Sequence, residues 1–267
     1  MNEITKGAAV AKASVGSRGF EEAGEEDLVQ PRIKLAQGMS PVVKDGDVEL
    51  GNVYNSITQE AYGSNVILQP IFFFKSRIKW LPRTDDQDID CRATDAKVGD
   101  KYGTCLECDF RLWGEDKGER LPPPCTEIYN FLAMVRDNPK DHMNRQLVVI
   151  SYMKTTFSEG RHLLSKMRYS SGDMFSKKYK ISSRTTKNKL GEFYIYSSDA
   201  GIAVNEDEYK EAVEAYKNWF DIRFHMEVDM DREEDTLTKE DTLTKEDTAE
   251  TNPQESAVKE EDFVEFK

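Results

Sequence analysis

The sequence has no run of 18 apolar residues, which excludes a helix long enough to span a membrane. It also lacks the apolar stretch of a signal peptide, because MNEITKGAAVAKASVGSRGF at the start is mixed and partly charged. We therefore expect a cytosolic protein with no membrane partner. Apolar residues are scarce overall, at 38% of 267 residues, while 33% are charged. This balance predicts that part of the chain lies outside any packed core.

Catalytic signatures are absent as well. The sequence contains no glycine-rich phosphate loop after a strand, no G-x-S-x-G and no H-E-x-x-H. The three histidines, His142, His162 and His225, fall in no metal or nucleophile motif. The carboxylate-rich run DDQDID at residues 85–90 could attract Mg²⁺, but a solvated loop explains it without a metal. We expect no enzymatic activity, and a nuclease or polymerase accessory enzyme using residues 85–90 is the alternative.

Negative charge is concentrated at one end of the chain. From His225 to Lys267 there are 16 acidic and 5 basic residues, a net charge of −11, which leaves −2 for residues 1–224. From Arg136 to Lys189 there are 13 Lys and Arg against 4 Asp and Glu, a net charge of +9. Such asymmetry is typical of proteins that contact nucleic acid or membranes. A solvated surface with a solubilising tail explains the same charges.

Composition divides the chain into three parts. Residues 1–27 are rich in Gly, Ala, Ser and Glu without apolar periodicity and predict a flexible arm. Residues 28–228 predict one folded domain that ends in a helix over about 205–225, with Asn205 as its N-cap. Residues 229–267 predict a disordered acidic tail, because the repeat EDTLTK has no apolar face. The tail ends in EEDFVEFK, which places Phe263 and Phe266 among carboxylates.

The clearest strand signal is the run VILQPIFFFKSRIKW over Val66–Trp80, whose even positions are mostly apolar. Because the side chains of a strand alternate between its faces, we expect the even positions in the core. An aromatic residue and three cations then share the opposite face: Phe73, Lys75, Arg77 and Lys79. Pro70 marks a strand start or a bulge.

Further runs complete this domain. Residues 127–136 and 146–157 predict a hairpin with a long connection, residues 160–170 a short helix, and residues 191–197 another strand. The basic segment 176–189 is expected to form a loop or a strand edge. These elements in this order are compatible with a small antiparallel barrel.

All four cysteines lie in one 35-residue window with the spacing C-x13-C-x2-C-x16-C. They are Cys91, Cys105, Cys108 and Cys125. A C-x2-C turn lets two sulfurs reach one metal, so we interpret the set as one structural Zn²⁺ site with four thiolate ligands. The window has little periodic apolar sequence, and metal binding would supply the folding energy that a core does not. Free thiols and structural disulfides are the alternatives.

Cations and aromatic residues alternate through residues 152–180. Binding of single strands without sequence preference needs a cationic groove for the phosphates and aromatic faces for the bases. We therefore interpret this segment, together with residues 73–79, as a nucleic-acid-binding surface. Its candidate residues are Tyr152, Lys154, Phe157, Arg161, Lys166, Arg168, Tyr169, Phe175, Lys177, Lys178, Tyr179 and Lys180. The same alternation arises when the aromatic residues belong to the core and the lysines point outward.

Three stretches carry a resemblance to a known family. They are GNVYNSITQEAYGSNVILQPIFFFKSRIKW at 51–80, LPPPCTEIYNFLAMV at 121–135 and the terminal EEDFVEFK. With the basic body and acidic tail, the chain resembles the single-stranded-DNA-binding proteins of bacteriophages over about residues 28–225 plus the tail. Two features depart from that pattern: the cysteine set includes no His ligand, and the last residue is Lys267.

The resemblance implies a mainly β fold, an OB-fold-like antiparallel barrel with a zinc-binding insertion at about 91–125 and a C-terminal helix. It implies a non-enzymatic protein that coats single-stranded DNA in phage replication, recombination and repair, in the cytoplasm of an infected bacterial host. The acidic tail would compete with DNA for the basic groove, and Phe263 and Phe266 would bind replication or recombination proteins. A protein-interaction adaptor built on the zinc lobe and the tail is the alternative function.

Overall fold

The computed structural model describes residues 29–81, 89–188 and 191–219. Their strands are β1 Arg32–Leu35, β2 Val53–Asn55, β3 Ala61–Gly63, β4 Asn65–Trp80, β5 Ile89–Ala93, β6 Val98–Gly99, β7 Gly103–Thr104, β8 Gly114–Asp116, β9 Glu119–Leu121, β10 Cys125–Arg136, β11 Leu147–Tyr152, β12 Lys177–Asn188, β13 Gly191–Ser198 and β14 Ile202–Ala203. Their α-helices are α1 Pro41–Lys44, α2 Phe157–Tyr169 and α3 Glu206–Trp219. Short 3-10 helices lie at Asp109–Arg111, Asp141–Met143, Lys154–Thr156 and Met174–Ser176. All described residues lie in one compact unit.

Ten strands form one curled sheet. Its order is β13-β12-β4-β10-β11-β1-β2-β3, with β5 paired to β4 and β14 paired to β12. The pairing of β1 with β11 is parallel, and the other pairs are antiparallel. The predicted mainly β class and the predicted hairpin, β10 with β11, are confirmed. No helix in the described part is long and apolar enough to cross a membrane.

The sheet leaves its barrel open between β13 and β1, where side chains take the place of a strand ladder. The Gln37 amide donates a hydrogen bond to the Tyr194 carbonyl oxygen at 2.8 Å and accepts one from the Tyr194 N–H at 3.0 Å. The Tyr196 hydroxyl donates to the Ile33 carbonyl oxygen at 3.2 Å. The curl is therefore a half-barrel, held across its gap by hydrogen bonds that satisfy the free backbone groups of β13 and β1.

Helices cover both faces of the sheet. The inner face buries the largest apolar cluster, to which α2 contributes Leu163 and Met167. The outer face buries a second cluster around Phe72 and Leu132, to which α3 contributes Ala212 and Ala215. A long central strand such as β4 therefore buries side chains on both of its faces, as a sheet packed between helices requires.

A bulge in β4 overturns the predicted alternation. Leu132 of β10 pairs with Phe72, whereas the next residue, Ala133, pairs with Pro70, so one residue of β4 is extra at this point. The bulge predicted at Pro70 is confirmed, and it reverses the phase of the strand. As a result Phe73 packs on the inner cluster with Leu68, while Phe72 packs on the outer one.

Two other segments test the sequence predictions. The described residues Lys177–Asn188 of the basic segment form strand β12 and not a loop. β12 pairs with β4 over Tyr179–Ser182 and with β13 over Ile181–Asn188, so beyond Ser183 it pairs with β13 alone. The C-terminal helix is confirmed over Glu206–Trp219, and residues 220–225 lie outside the described residues. Its predicted cap is present: the Asn205 side chain accepts from the Glu208 N–H at 2.8 Å, and the Glu208 carboxylate accepts from the Asn205 N–H at 2.9 Å.

Helix α2 approaches β11 closely at Gly160. A Cβ atom at this position would lie 2.6 Å from the Cβ and 2.8 Å from the Cγ of Tyr152. The Tyr152 ring is itself fixed by edge-on contacts with Phe131 and Tyr196. The helix therefore sits on the sheet at a distance that only glycine allows.

We expect Gly160→Ala to lower the free energy of unfolding by up to about 2 kcal/mol. Alanine favours a helix over glycine by about 1 kcal/mol, but forcing a methyl group into a packed core costs about 1–3 kcal/mol. Urea denaturation measures the change. Ser165→Ala, on the exposed side of the same helix, is the matched control and should change stability by less than about 0.5 kcal/mol. A stabilised Gly160→Ala variant would contradict this packing.

Candidate metal and nucleic-acid-binding surfaces

The sheet register places two cysteines on either side of one lysine. Lys79 of β4 pairs with Cys125 of β10 on one side and with Cys91 of β5 on the other. Directly paired residues of adjacent strands point to the same face, so the three side chains form one row. The two remaining thiols, Cys105 and Cys108, come from the turn between β7 and the 3-10 helix at Asp109–Arg111. The region 91–125, called the cysteine lobe below, thus places all four around one cavity.

One small cavity is lined by all four cysteines. Its volume is about 10 Å³, which is about the space that a single water molecule requires. The four thiols are free of disulfide bonds, so that alternative is not realised in this structure. A Cβ on Gly99 would lie 2.7 Å from the Cys91 sulfur, so Gly99 allows the backbone of β6 to approach the site. As they stand, no three His, Cys, Asp or Glu side chains of the described residues are close enough together to hold a metal ion.

The donor set nevertheless fits a thiophilic metal. Four cysteines around an atom-sized cavity match the composition of structural zinc sites. Burial raises the pKa of the Cys105 and Cys125 thiols, and the guanidinium of Arg77 opposes that effect at both. Residues that could hold a metal are therefore Cys91, Cys105, Cys108 and Cys125.

The cations of β4 are paired with carboxylates. Lys75 and Arg77 both donate to Glu127 of β10, Lys75 at 2.7 Å. The Lys79 ammonium donates to Asp90, whose carboxylate also accepts from Lys101. Hydrogen bonds from Lys101, Lys79 and Tyr102 hold the pKa of Asp90 well below its usual range.

These cations are also largely covered. The side chains of Arg77 and Lys79 are 16% and 13% exposed. Lys75 lies over the Tyr129 ring at 4.9 Å, and Phe73 packs edge-on against the same ring. The cations of the predicted row Phe73, Lys75, Arg77 and Lys79 are therefore ion-paired, because Glu127 of β10 is shared by Lys75 and Arg77 and Asp90 of β5 pairs with Lys79; Lys75 remains 42% exposed.

Three of the predicted stacking residues belong to the core. Tyr152 and Tyr179 are each 1% exposed, and Phe175 is 8% exposed. Tyr152 and Tyr179 pack in the inner cluster, whereas Phe175 packs under α3 with Tyr209 and Tyr216. The prediction that these three residues belong to a nucleic-acid surface is therefore wrong. They alternate with cations because they face the core, which is the alternative that the sequence left open.

The other candidates in this segment divide by exposure. Phe157 is half-buried against Tyr129, with ring centroids 4.6 Å apart. Lys178 is held between Asp137 at 2.7 Å and Glu208 at 2.8 Å. Lys177 is half-buried, whereas Lys154 and Lys180 are exposed.

Helix α2 carries the open part of the predicted surface. Arg161, Lys166 and Arg168 are exposed on it, and the Lys166 ammonium hydrogen-bonds the Ser198 carbonyl oxygen and, at 2.9 Å, its hydroxyl. Tyr169 at the end of the helix is 90% exposed, the most exposed of the large apolar side chains in the described part. These four residues are called the α2 surface below. It is the one place where predicted cations and a predicted aromatic residue are brought together in solvent, among the residues described.

Sequence reasoning missed one neighbour of this surface. Arg184 of β12 is 57% exposed and pairs with Glu159 of α2 at 3.2 Å. Arg184 belongs to the basic segment 176–189, so its positive charge was visible in the sequence. A segment predicted as a loop or a strand edge does not show which of its cations face α2.

The cysteine lobe is rich in exposed apolar side chains, and the remaining predicted sites lie partly outside the described residues. Half of the exposed large apolar side chains of the described residues lie in the cysteine lobe: Val98, Tyr102, Leu106, Leu112, Trp113 and Leu121. Of the carboxylate-rich run at residues 85–90, Asp90 pairs with Lys79 and Lys101, and residues 85–88 lie outside the described part. Phe263 and Phe266 lie outside it as well.

Comparison with known proteins places this half-barrel in a bacteriophage family. Residues 2–221 match the family described as Pam3 phage gp34-like protein, and the chain belongs to that family. No curated protein matches the chain. No solved structure matches it either.

Proposed function

We propose that this phage protein binds single-stranded DNA without sequence preference and has no enzymatic activity. The observation that carries the proposal is the α2 surface, where three exposed cations lie beside a tyrosine that is 90% exposed. Cations for phosphates and an aromatic face for a base are the two elements that such binding requires. The segment from Arg136 to Lys189 has a net charge of +9, which extends the attraction beyond these four residues.

The finer features of the fold are part of the same proposal. We propose that the half-barrel is of OB type, and that the protein coats and protects DNA in phage replication, recombination and repair. It would act in the cytoplasm of the infected host. The acidic tail, with Phe263 and Phe266, would bind other replication or recombination proteins.

The cysteine lobe is proposed to hold one Zn²⁺. Four thiols around one atom-sized cavity support it, together with the small apolar content of the lobe, whose large apolar side chains are mostly exposed. Bound zinc would supply folding energy to residues 91–125, and Cys91, Cys105, Cys108 and Cys125 would be its ligands. Sequence spacing gave the same four residues.

We expect Tyr169→Ala to weaken binding of a labelled oligo-dT by about 5- to 150-fold, because stacking on an aromatic face contributes about 1–3 kcal/mol per base. Fluorescence anisotropy at low salt measures the affinity. Tyr169→Phe keeps the aromatic face and is expected to bind like the unmodified protein. Equal affinities for all three proteins would remove Tyr169 from the interface.

The cations of α2 are tested by salt dependence. The double variant Arg161→Gln with Arg168→Gln should bind oligo-dT more weakly, with a slope of log affinity against log salt that is less negative by about 1.4. The expectation follows from about 0.7 per phosphate contact for single strands. Lys210→Gln with Lys217→Gln, two exposed cations of α3, is the matched control. If both pairs change the slope equally, the effect is one of net charge and not of this surface.

Removal of the tail tests its role as a competitor. A chain ending at Asp229 should bind oligo-dT more tightly than the full chain, on the order of tenfold at low salt, because a polyanion no longer occupies the basic surface. The gain should vanish as salt rises, since screening weakens both attractions. Unchanged affinity at every salt concentration would leave the tail with a solubilising role only.

A protein-interaction adaptor is the second candidate function, and one observation favours it. The cysteine lobe exposes Leu106, Leu112 and Trp113 to solvent, and large exposed apolar side chains in one small region are typical of protein contact sites. If neither the full chain nor the tail-free chain binds oligo-dT at low salt, the adaptor becomes the better proposal.

A further inference from the structure

Each of two carboxylates beside the cysteine cavity is shared by two cations. Glu127 accepts from Lys75 and Arg77, and Asp90 accepts from Lys79 and Lys101. Each group of three therefore has one positive charge in excess, and the two groups together have two. Elsewhere in the described part, Glu211 is shared in the same way by Arg136 and Arg145, away from any cysteine, whereas Lys178 lies between two carboxylates.

The covered cation of each group lies at the cavity, whereas the second cation, Lys75 or Lys101, is 42% or 54% exposed and does not line it. Arg77 and Lys79 both line it, together with all four cysteines. Lys79 stands between Cys91 and Cys125 in the sheet. Arg111 and Asp95 also lie near the cysteines, and their opposite charges offset each other.

Burial makes this excess costly unless something balances it. Side chains that are only 16% and 13% exposed lose much of the hydration of their charge, and a covered cation without a full counter-charge destabilises a fold. A divalent ion bound by four thiolates has a net charge of −2. That value equals the excess of the two groups in magnitude and is opposite in sign.

We propose that Arg77 and Lys79 support a zinc–thiolate centre, in which their positive charges offset its double negative charge. The inference rests on the zinc site proposed above. It also assigns these two cations to the metal centre and not to DNA phosphates. Groups outside the ligand set that hydrogen-bond to it are known to change metal affinity by about 10- to 100-fold.

The test uses the full chain purified under reducing conditions, with zinc content measured by elemental analysis and zinc affinity by competition with a chelator. Cobalt substitution gives a second readout, the thiolate-to-cobalt absorption. Arg77→Met and Lys79→Met should each lower zinc affinity by about 10- to 100-fold. Arg77→Lys, which keeps the charge, should recover much of the loss. Lys97→Met, an exposed cation of the same lobe, is the matched control and should retain full affinity.

The outcomes separate this inference from the zinc site and from DNA binding. Arg77→Met should bind oligo-dT within about twofold of the unmodified chain. If the unmodified chain contains no zinc and takes up no cobalt, the zinc site is wrong and the inference falls with it. If Arg77→Met and Lys79→Met hold zinc as tightly as Lys97→Met, the site stands and the inference is overturned. Loss of oligo-dT affinity with zinc retained would overturn it too, and would return these cations to the DNA surface.

Discussion

The backbone ladder between β4 and β10 joins every other part of this structure. It runs from Ile67 to Lys79 of β4, and the far side of β4 is divided between two partners. The first half of β4 pairs with β12 and builds the half-barrel, while Arg77–Trp80 pair with β5 and build the cysteine lobe. Body and lobe are therefore two ends of one pair of strands. The positions of Cys91 and Cys125 follow from strand register, which a one-residue slip would destroy.

Local patterns predicted strands β4, β10, β11 and β13 and helices α2 and α3 from the sequence, but not the short strands or β12. Alternation located β4, the hairpin of β10 and β11 and strand β13, and Asn205 with Glu208 located the start of α3. Alternation does not show which element covers each face of a strand. Tyr152, Phe175 and Tyr179 alternate with cations just as the aromatic residues of an open stacking surface would. These three side chains are nevertheless buried, because α2 covers one face of the sheet and α3 the other. Only long-range packing distinguishes a buried aromatic residue from an exposed one.

The cysteine lobe shows the same division between spacing and long-range contact. The window of four cysteines is visible in the sequence, and the C-x2-C turn accounts for two of them. The partners of the nearby cations are not visible, because Glu127 is 50 residues from Arg77 along the chain. A row of cations on a predicted strand therefore suggests phosphate contacts, although the paired strand supplies carboxylates to the same row.

Pairing also decides which cations are available to a polyanion. A phosphate that contacted Arg77 or Lys79 would have to displace a carboxylate from a covered ion pair, and breaking such a pair leaves a charge uncompensated. Arg161 and Arg168 are exposed and have no ion-pair partner among the described residues. Their attraction for phosphate costs little desolvation, and it is screened within about 8–10 Å at physiological salt. The segment from His225 to Lys267, with a net charge of −11, would be screened in the same way, so salt would weaken its proposed competition for these cations as well.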